Sequence, residues 1–327
     1  MFWNLPGKKG QKIFYMKSIL KKIVIFTCYY SGLSWLVGMF LNRKIFCIGY
    51  HSIFDDVNKD ELLQKLYWNI SVNSKDFEKQ LIFLKNNGHT FIHFSDLKNK
   101  ETKKLSKPTI IFFDDGFKDV LVNALPILKK HNIPATIFIT TGLIDRTHFL
   151  WTLGLRHFLG EKGRNKKEIE TEIKKIKKMP MQEREKFLKT FYSKNNFKPQ
   201  PENFDIFLDW PEVRDLSNNN FEIGSHGIAH QKLTELNDSD LENELISSKK
   251  ILEEKVGREV ETISYPYGRN NEKVESSVNS AGYTFGVSTI SGFNDFEYLE
   301  KYPFRIKKIT AETGSMTEFK VRVYMNL

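Results

Sequence analysis

Three short motifs in this 327-residue chain hold the side-chain types that hydrolysis needs. The first is Phe112-Phe113-Asp114-Asp115-Gly116, two adjacent carboxylates after an apolar run. Two carboxylates in one pocket repel each other. They coexist if a cation takes one and leaves the other free as a base. A turn capping the following helix would use the same residues without chemistry. The second is Ser225-His226-Gly227-Ile228-Ala229-His230. Histidines four apart can turn both rings to one metal ion, although two partly buried rings bonded to backbone would show the same spacing. With one Asp, the set gives three protein ligands and leaves positions open for water or substrate, a hydrolytic rather than a structural site. The third is Ser264-Tyr265-Pro266-Tyr267-Gly268. Such a turn can aim a backbone N–H at a developing oxyanion, or can simply connect a strand to a helix.

The elements that must position these motifs alternate along the body of the chain. Apolar strand-like runs occur at 45–50, 90–93, 109–113, 135–140, 221–225, 262–265 and 284–288. They are short and apolar on both faces, as buried parallel strands are. Helical patterns lie between them at 74–87, 119–130 and 238–255. About seven β/α units predict an α/β barrel rather than two domains, with each motif following a strand and so falling on the catalytic rim. The stretch 147–201, within a segment of about 147–210, carries no strand signal. Glu161–Lys189 holds 11 basic and 6 acidic residues, with Ile169, Ile173 and Ile176 at helical spacing and Pro180 as a break. This reads as a helical insertion, either a solvated hairpin or a lid or membrane contact over the site.

The net charge is +10, but residues 1–44 contribute eight basic groups and no acidic one, while the rest carries 42 basic against 40 acidic groups. A nearly neutral body argues against nucleic acid as a partner. Ile23–Leu41 has no charged residue and is flanked by basic ones. The expectation is an N-terminal hydrophobic helix within a membrane-associating segment, 1–44, ahead of a catalytic domain, 45–327. It could span the bilayer, lie in the interface or dock as a soluble helix. No small-x-small cleavage site follows it. If it spans, its heavier lysine load stays cytoplasmic and the body lies outside. Two cysteines, Cys28 and Cys47, can build neither a disulfide framework nor a cysteine zinc site.

FFDDG, SHGIAH and SYPYG, in this order and spacing, resemble the polysaccharide deacetylase family (carbohydrate esterase family 4, the NodB-homology domain) in its YPYG-type subgroup. YHSI at Tyr50–Ile53 and DFEKQLIFLKNNGHTFIHFSDL add to the likeness, which runs from about Phe46 to Arg305. The resemblance implies a distorted (β/α)7 barrel, a divalent metal, usually zinc, and hydrolysis of acetyl groups from N-acetylated sugars of a polysaccharide, surface glycan or lipid-linked precursor. It implies Asp114 as general base, Asp115, His226 and His230 as metal ligands, and the Tyr267 N–H at the oxyanion. Two departures stand out. Ser264 occupies the place of an arginine that orients the base in many members, and no histidine follows His230 to serve as general acid. His51, just past the first strand, is the candidate for that acid, since an imidazolium can donate near neutral pH. Arg305 resembles a recurrent arginine of the subgroup and is the candidate substrate-binding residue. A catalytically inactive glycan-binding module on the same fold is the alternative. Retention of Asp114, Asp115, His226 and His230 counts against it.

Overall fold

The computed structural model describes residues 41–55, 70–198, 205–311 and 315–325. The N-terminal hydrophobic helix expected at 23–41 and nearly all of the segment 1–44 lie outside them. Among the described residues, no helix is long and apolar enough to cross a membrane.

Among the described residues ten strands form: β1 (Phe46–Tyr50), β2 (Ser52–Phe54), β3 (Ser71–Asn73), β4 (Thr90–Phe91), β5 (Pro108–Phe113), β6 (Ala135–Ile139), β7 (Phe221–Ser225), β8 (Thr262–Ser264), β9 (Phe285–Ser291) and β10 (Ile306–Thr310). Seven of them close a parallel ring in the order β1-β5-β6-β7-β8-β9-β10 and back to β1. β4 pairs with the start of β5, ahead of β6, and β2 and β3 pair apart from the ring. The result is the α/β barrel that the alternation predicts and the distorted (β/α)7 form that the resemblance implies, with a register shift between β9 and β10. The sequence reading missed β10 because Ile-Lys-Lys-Ile-Thr lacks the apolar run of the other strands.

Alternation along the strands separates two cores. Cys47, Ile110, Phe112, Phe138, Val287 and Ile306 form one apolar cluster, which fills the barrel. Their neighbours Phe46, Ile48, Ile111, Phe113, Ile137 and Ile139 join Leu81, Leu245 and Leu252 of the surrounding helices in the other. The interior leaves no room at its glycines. A Cβ on Gly224 would lie 2.4 Å from the Phe138 ring, and one on Gly49 2.6 Å from Phe112.

The stretch between β6 and β7 folds into helices at Trp151–Glu161, Lys166–Lys177, Met181–Lys194 and Trp210–Asn218. Leu155, Ile169, Ile173, Ile176 and Leu188 close a small core of their own. Beside it Arg156 is buried and pairs with Glu170 at 2.6 Å. Pro180 is the N-cap residue of the Met181–Lys194 helix.

Replacing Gly224 by Ala is expected to destabilise the fold by about 1–3 kcal/mol through overpacking against Phe138. Thermal unfolding should show a Tm lowered by several degrees, without the loss of the surrounding secondary structure.

Candidate active site

All three motifs reach the same end of the barrel, where the strands finish. Asp114 and Asp115 follow β5, His226 follows β7, and the Pro266–Gly268 turn follows β8. Asp115 has a left-handed backbone, φ 76°, and so does His230, φ 50°. These unusual turns point three side chains inward. Nε2 of His226 lies 3.4 Å and Nε2 of His230 3.3 Å from Oδ1 of Asp115. That oxygen is buried and has no hydrogen-bond partner. A buried carboxylate oxygen faced by two imidazole nitrogens and bonded to neither has the donor set of a divalent metal site. The three ligand atoms lie within 4.8 Å of one another.

The surroundings orient the ligands. Nδ1 of His226 is 2.6 Å from the Ser264 carbonyl. A carbonyl only accepts, so Nδ1 carries the proton and Nε2 is free to ligate. Ser264 therefore contributes its backbone oxygen. The loop between the two histidines is clamped from both sides. The N–H groups of Thr141 and Gly142 donate to the carbonyls of Gly227 and Ile228 at 3.1 and 2.9 Å. From the Asp238–Val256 helix, the buried Glu244 carboxylate accepts from the N–H of Ile228 at 2.7 Å and of Ala229 at 3.2 Å. Gly227, φ 75°, is required here: a Cβ would meet Glu244 Oε2 at 2.7 Å. Sequence reading passed over Glu244, which sits on a helix rich in acidic residues that otherwise face water.

Asp114 is held apart from this cluster. Its Oδ2 accepts from Nζ of Lys308, on β10, at 3.0 Å. The Lys308 ammonium also stands over the Phe112 ring, 5.4 Å from its centroid. Burial works against a charge on Asp114, but Lys308 first, then His226 and His51, outweigh it and hold the carboxyl below its ordinary range. On Asp115 burial is likewise outweighed, by His230 and the His226 side chain, and its carboxyl lies well below that range. Lys308 supplies the positive charge that Ser264 cannot. Its only sequence signal was a lysine inside an undetected strand.

His51 stands at the same rim, with Nε2 4.0 Å from Oδ2 of Asp114. Burial lowers its pKa, and the two nearby carboxylates do not offset the effect. The resting ring is thus neutral near pH 7 and must gain a proton before it can give one. Tyr267 sits in the left-handed region, φ 59°, with its ring 4.9 Å from that of His230. Its hydroxyl accepts from Trp151 Nε1 at 3.1 Å. Arg305 is placed elsewhere: Nε donates to Glu275 at 2.6 Å and the guanidinium lies over Tyr302. The structure does not bring it into contact with Asp114, Asp115 or the two histidines.

A family model for polysaccharide deacetylases matches residues 101–286. The Bacillus subtilis protein YxkH is 24% identical over 226 residues, 68% of this chain and 60% of its own length. A poly-beta-1,6-N-acetyl-D-glucosamine N-deacetylase of Staphylococcus aureus is 28% identical over 222 residues, 67% of this chain and 61% of its own. The chain thus spans about three fifths of these relatives. Among solved structures, the deacetylase PplD of Streptococcus pyogenes superposes with a TM-score of 0.61 at 19% identity, covering 86% of this chain and 99% of that one. A de-N-acetylase of Aggregatibacter actinomycetemcomitans gives 0.55 at 17%, covering 84% and 98%. At these identities the superpositions establish the shared fold.

Two variants test the local assignments. Lys308→Met removes the charge that favours ionised Asp114, so the acidic limb of the pH–rate profile should move to higher pH. Glu244→Leu strips the histidine loop of its acceptor and should weaken zinc binding about 10–100-fold in a metal titration, with the fold retained by circular dichroism.

Proposed function

The chain belongs to the polysaccharide deacetylase family, and we propose that it is a metal-dependent hydrolase removing acetyl groups from an N-acetylated sugar of a polysaccharide, surface glycan or lipid-linked glycan precursor. The observation that carries this reading is the split of two adjacent carboxylates. Asp115 faces two imidazoles in a metal-ligand arrangement, while Asp114 is held ionised by a lysine. A structural metal site has no use for the second carboxylate. A hydrolytic site needs it.

Asp115, His226 and His230 would hold the ion, and two nitrogens with one oxygen suit zinc best. When bound, the metal supplies Lewis-acid polarisation of the acetyl carbonyl and a water of lowered pKa. Asp114, kept charged by Lys308, takes the proton of the attacking water on a carboxylate oxygen. The Tyr267 N–H, fixed by the left-handed turn, is the proposed donor to the oxygen on which negative charge develops. The neutral His51, 4.0 Å from Asp114, is the proposed group to receive that proton and deliver it to the departing amine. Acetate and a free amino sugar result.

Residues 1–44 complete the proposal as a membrane-associating segment, with the hydrolase on the extracytoplasmic side. Their basic residues and the uncharged run 23–41 support it.

Elemental analysis should find about one divalent ion per chain in the wild type and none in His226→Ala. Acetate release from N-acetylglucosamine oligomers should fall at least about a hundredfold in the variant. A wild type that takes up no metal after reloading with zinc would overturn the assignment in favour of a glycan-binding module.

A further inference from the structure

The helices inserted between β6 and β7 touch the site, and what they bring to it is positive charge. Trp151, at the start of the first inserted helix, donates to the Tyr267 hydroxyl and so ties the insertion to the turn beside the metal ligands. Lys177, at the end of the next helix, places Nζ over the Tyr267 ring, 4.6 Å from its centroid. The side chain is exposed at the rim with its ammonium partly desolvated; Asp115 is the strongest opposite charge in its field, Glu170 adds to it, and Lys232 and Arg156 repel it. Among the described residues Lys177 has no carboxylate within ion-pair distance, whereas Arg156 has Glu170 and Lys232 has Glu235. Arg184, buried, packs its guanidinium 5.5 Å from the Trp151 ring on the other side. Its Nη1 has no hydrogen-bond partner, and no carboxylate among the described residues pairs with it.

The charge count sharpens the point. Asp114 and Asp115 contribute two negative charges to the rim. Lys308, Lys177 and Arg184 contribute three positive ones, and the proposed divalent ion would bring the total to five. One developing oxyanion leaves a surplus, and a neutral acetamido sugar does nothing to balance it. The surplus lies on the insertion side, over the residue that borders the metal ligands.

We infer that the insertion builds an anion subsite at the mouth of the barrel, in which Lys177 contacts a phosphate or carboxylate borne by the N-acetylated sugar or by its neighbour. Arg184 adds field from behind Trp151, and the Trp151–Tyr267 hydrogen bond keeps the lysine at a fixed offset from the reacting amide. The inference rests on the deacetylase reading and narrows its substrate to anionic glycans.

Calorimetric titration of the zinc-loaded full chain tests it. The ligands are N-acetylglucosamine 1-phosphate, N-acetylmuramic acid and neutral diacetylchitobiose. At least one anionic ligand should bind about tenfold more tightly than the neutral one, the difference expected for one charge-assisted contact. The preference should vanish in Lys177→Gln, return in Lys177→Arg and shrink as salt rises. Whether the phosphate or the carboxylate shows it identifies the source of the charge. An equal preference in wild type and Lys177→Gln, or none in either, would overturn the inference. Acetate release is followed in parallel. Release without any Lys177-dependent preference removes the anion subsite and keeps the deacetylase. A Lys177-dependent preference without acetate release from any glycan keeps the subsite and removes the deacetylase.

Discussion

Two neighbouring carboxylates, both almost fully buried, are the constraint around which this molecule is arranged. Placing a single unpaired carboxylate in a protein interior costs several kcal/mol, and a second one beside it makes the problem worse. The chain resolves this by giving each a different partner from a different strand. Lys308 reaches Asp114 from β10, while His226 and His230 face Asp115 from beyond β7. The left-handed backbone at Asp115 turns the two side chains apart. Closure of the barrel makes the division possible, because the ring brings β10 to β1 and thence to β5. An open sheet would leave Lys308 on a distant edge.

The same logic extends outward. The histidine loop carries left-handed residues at Gly227 and His230, a strained path that needs support. Glu244 and the start of the Thr141–Ile144 helix supply it by occupying the loop's donors and acceptors. The Ser264 carbonyl fixes one imidazole. Each part of the site is thus held by contacts from a neighbouring β/α unit. The geometry belongs to the barrel as a whole and not to one loop.

The motifs were legible in the sequence because each pairs an apolar strand with a short, chemically distinctive turn, and both signals are local. Seven of the eight strands of the main sheet could be read for the same reason. β10 could not. Ile306-Lys307-Lys308-Ile309-Thr310 looks like a solvated segment, since a half-buried lysine leaves the same mark in a sequence as an exposed one. The partner that makes its burial tolerable lies 194 residues away. Glu244 was hidden in the opposite way, among the other acids of a long helix. Arg305 was placed by resemblance alone, and its contacts proved to be with Glu275 and Tyr302. Ile169, Ile173 and Ile176 did announce a buried helical stripe, but nothing in their spacing told that the stripe would bring Lys177 to the rim.

The direction of β1 has a bearing on reach. The Leu41–Lys44 turn docks at the base of the barrel, where Lys107 N–H donates to the Asn42 carbonyl and Lys44 pairs with Asp295. From there β1 runs upward for five residues, roughly 16 Å at the usual rise, and ends beside His51 at the catalytic rim. The chain therefore enters the barrel at its floor, and the mouth with its two carboxylates opens at the far end, so the site reaches away from the end at which the backbone comes in.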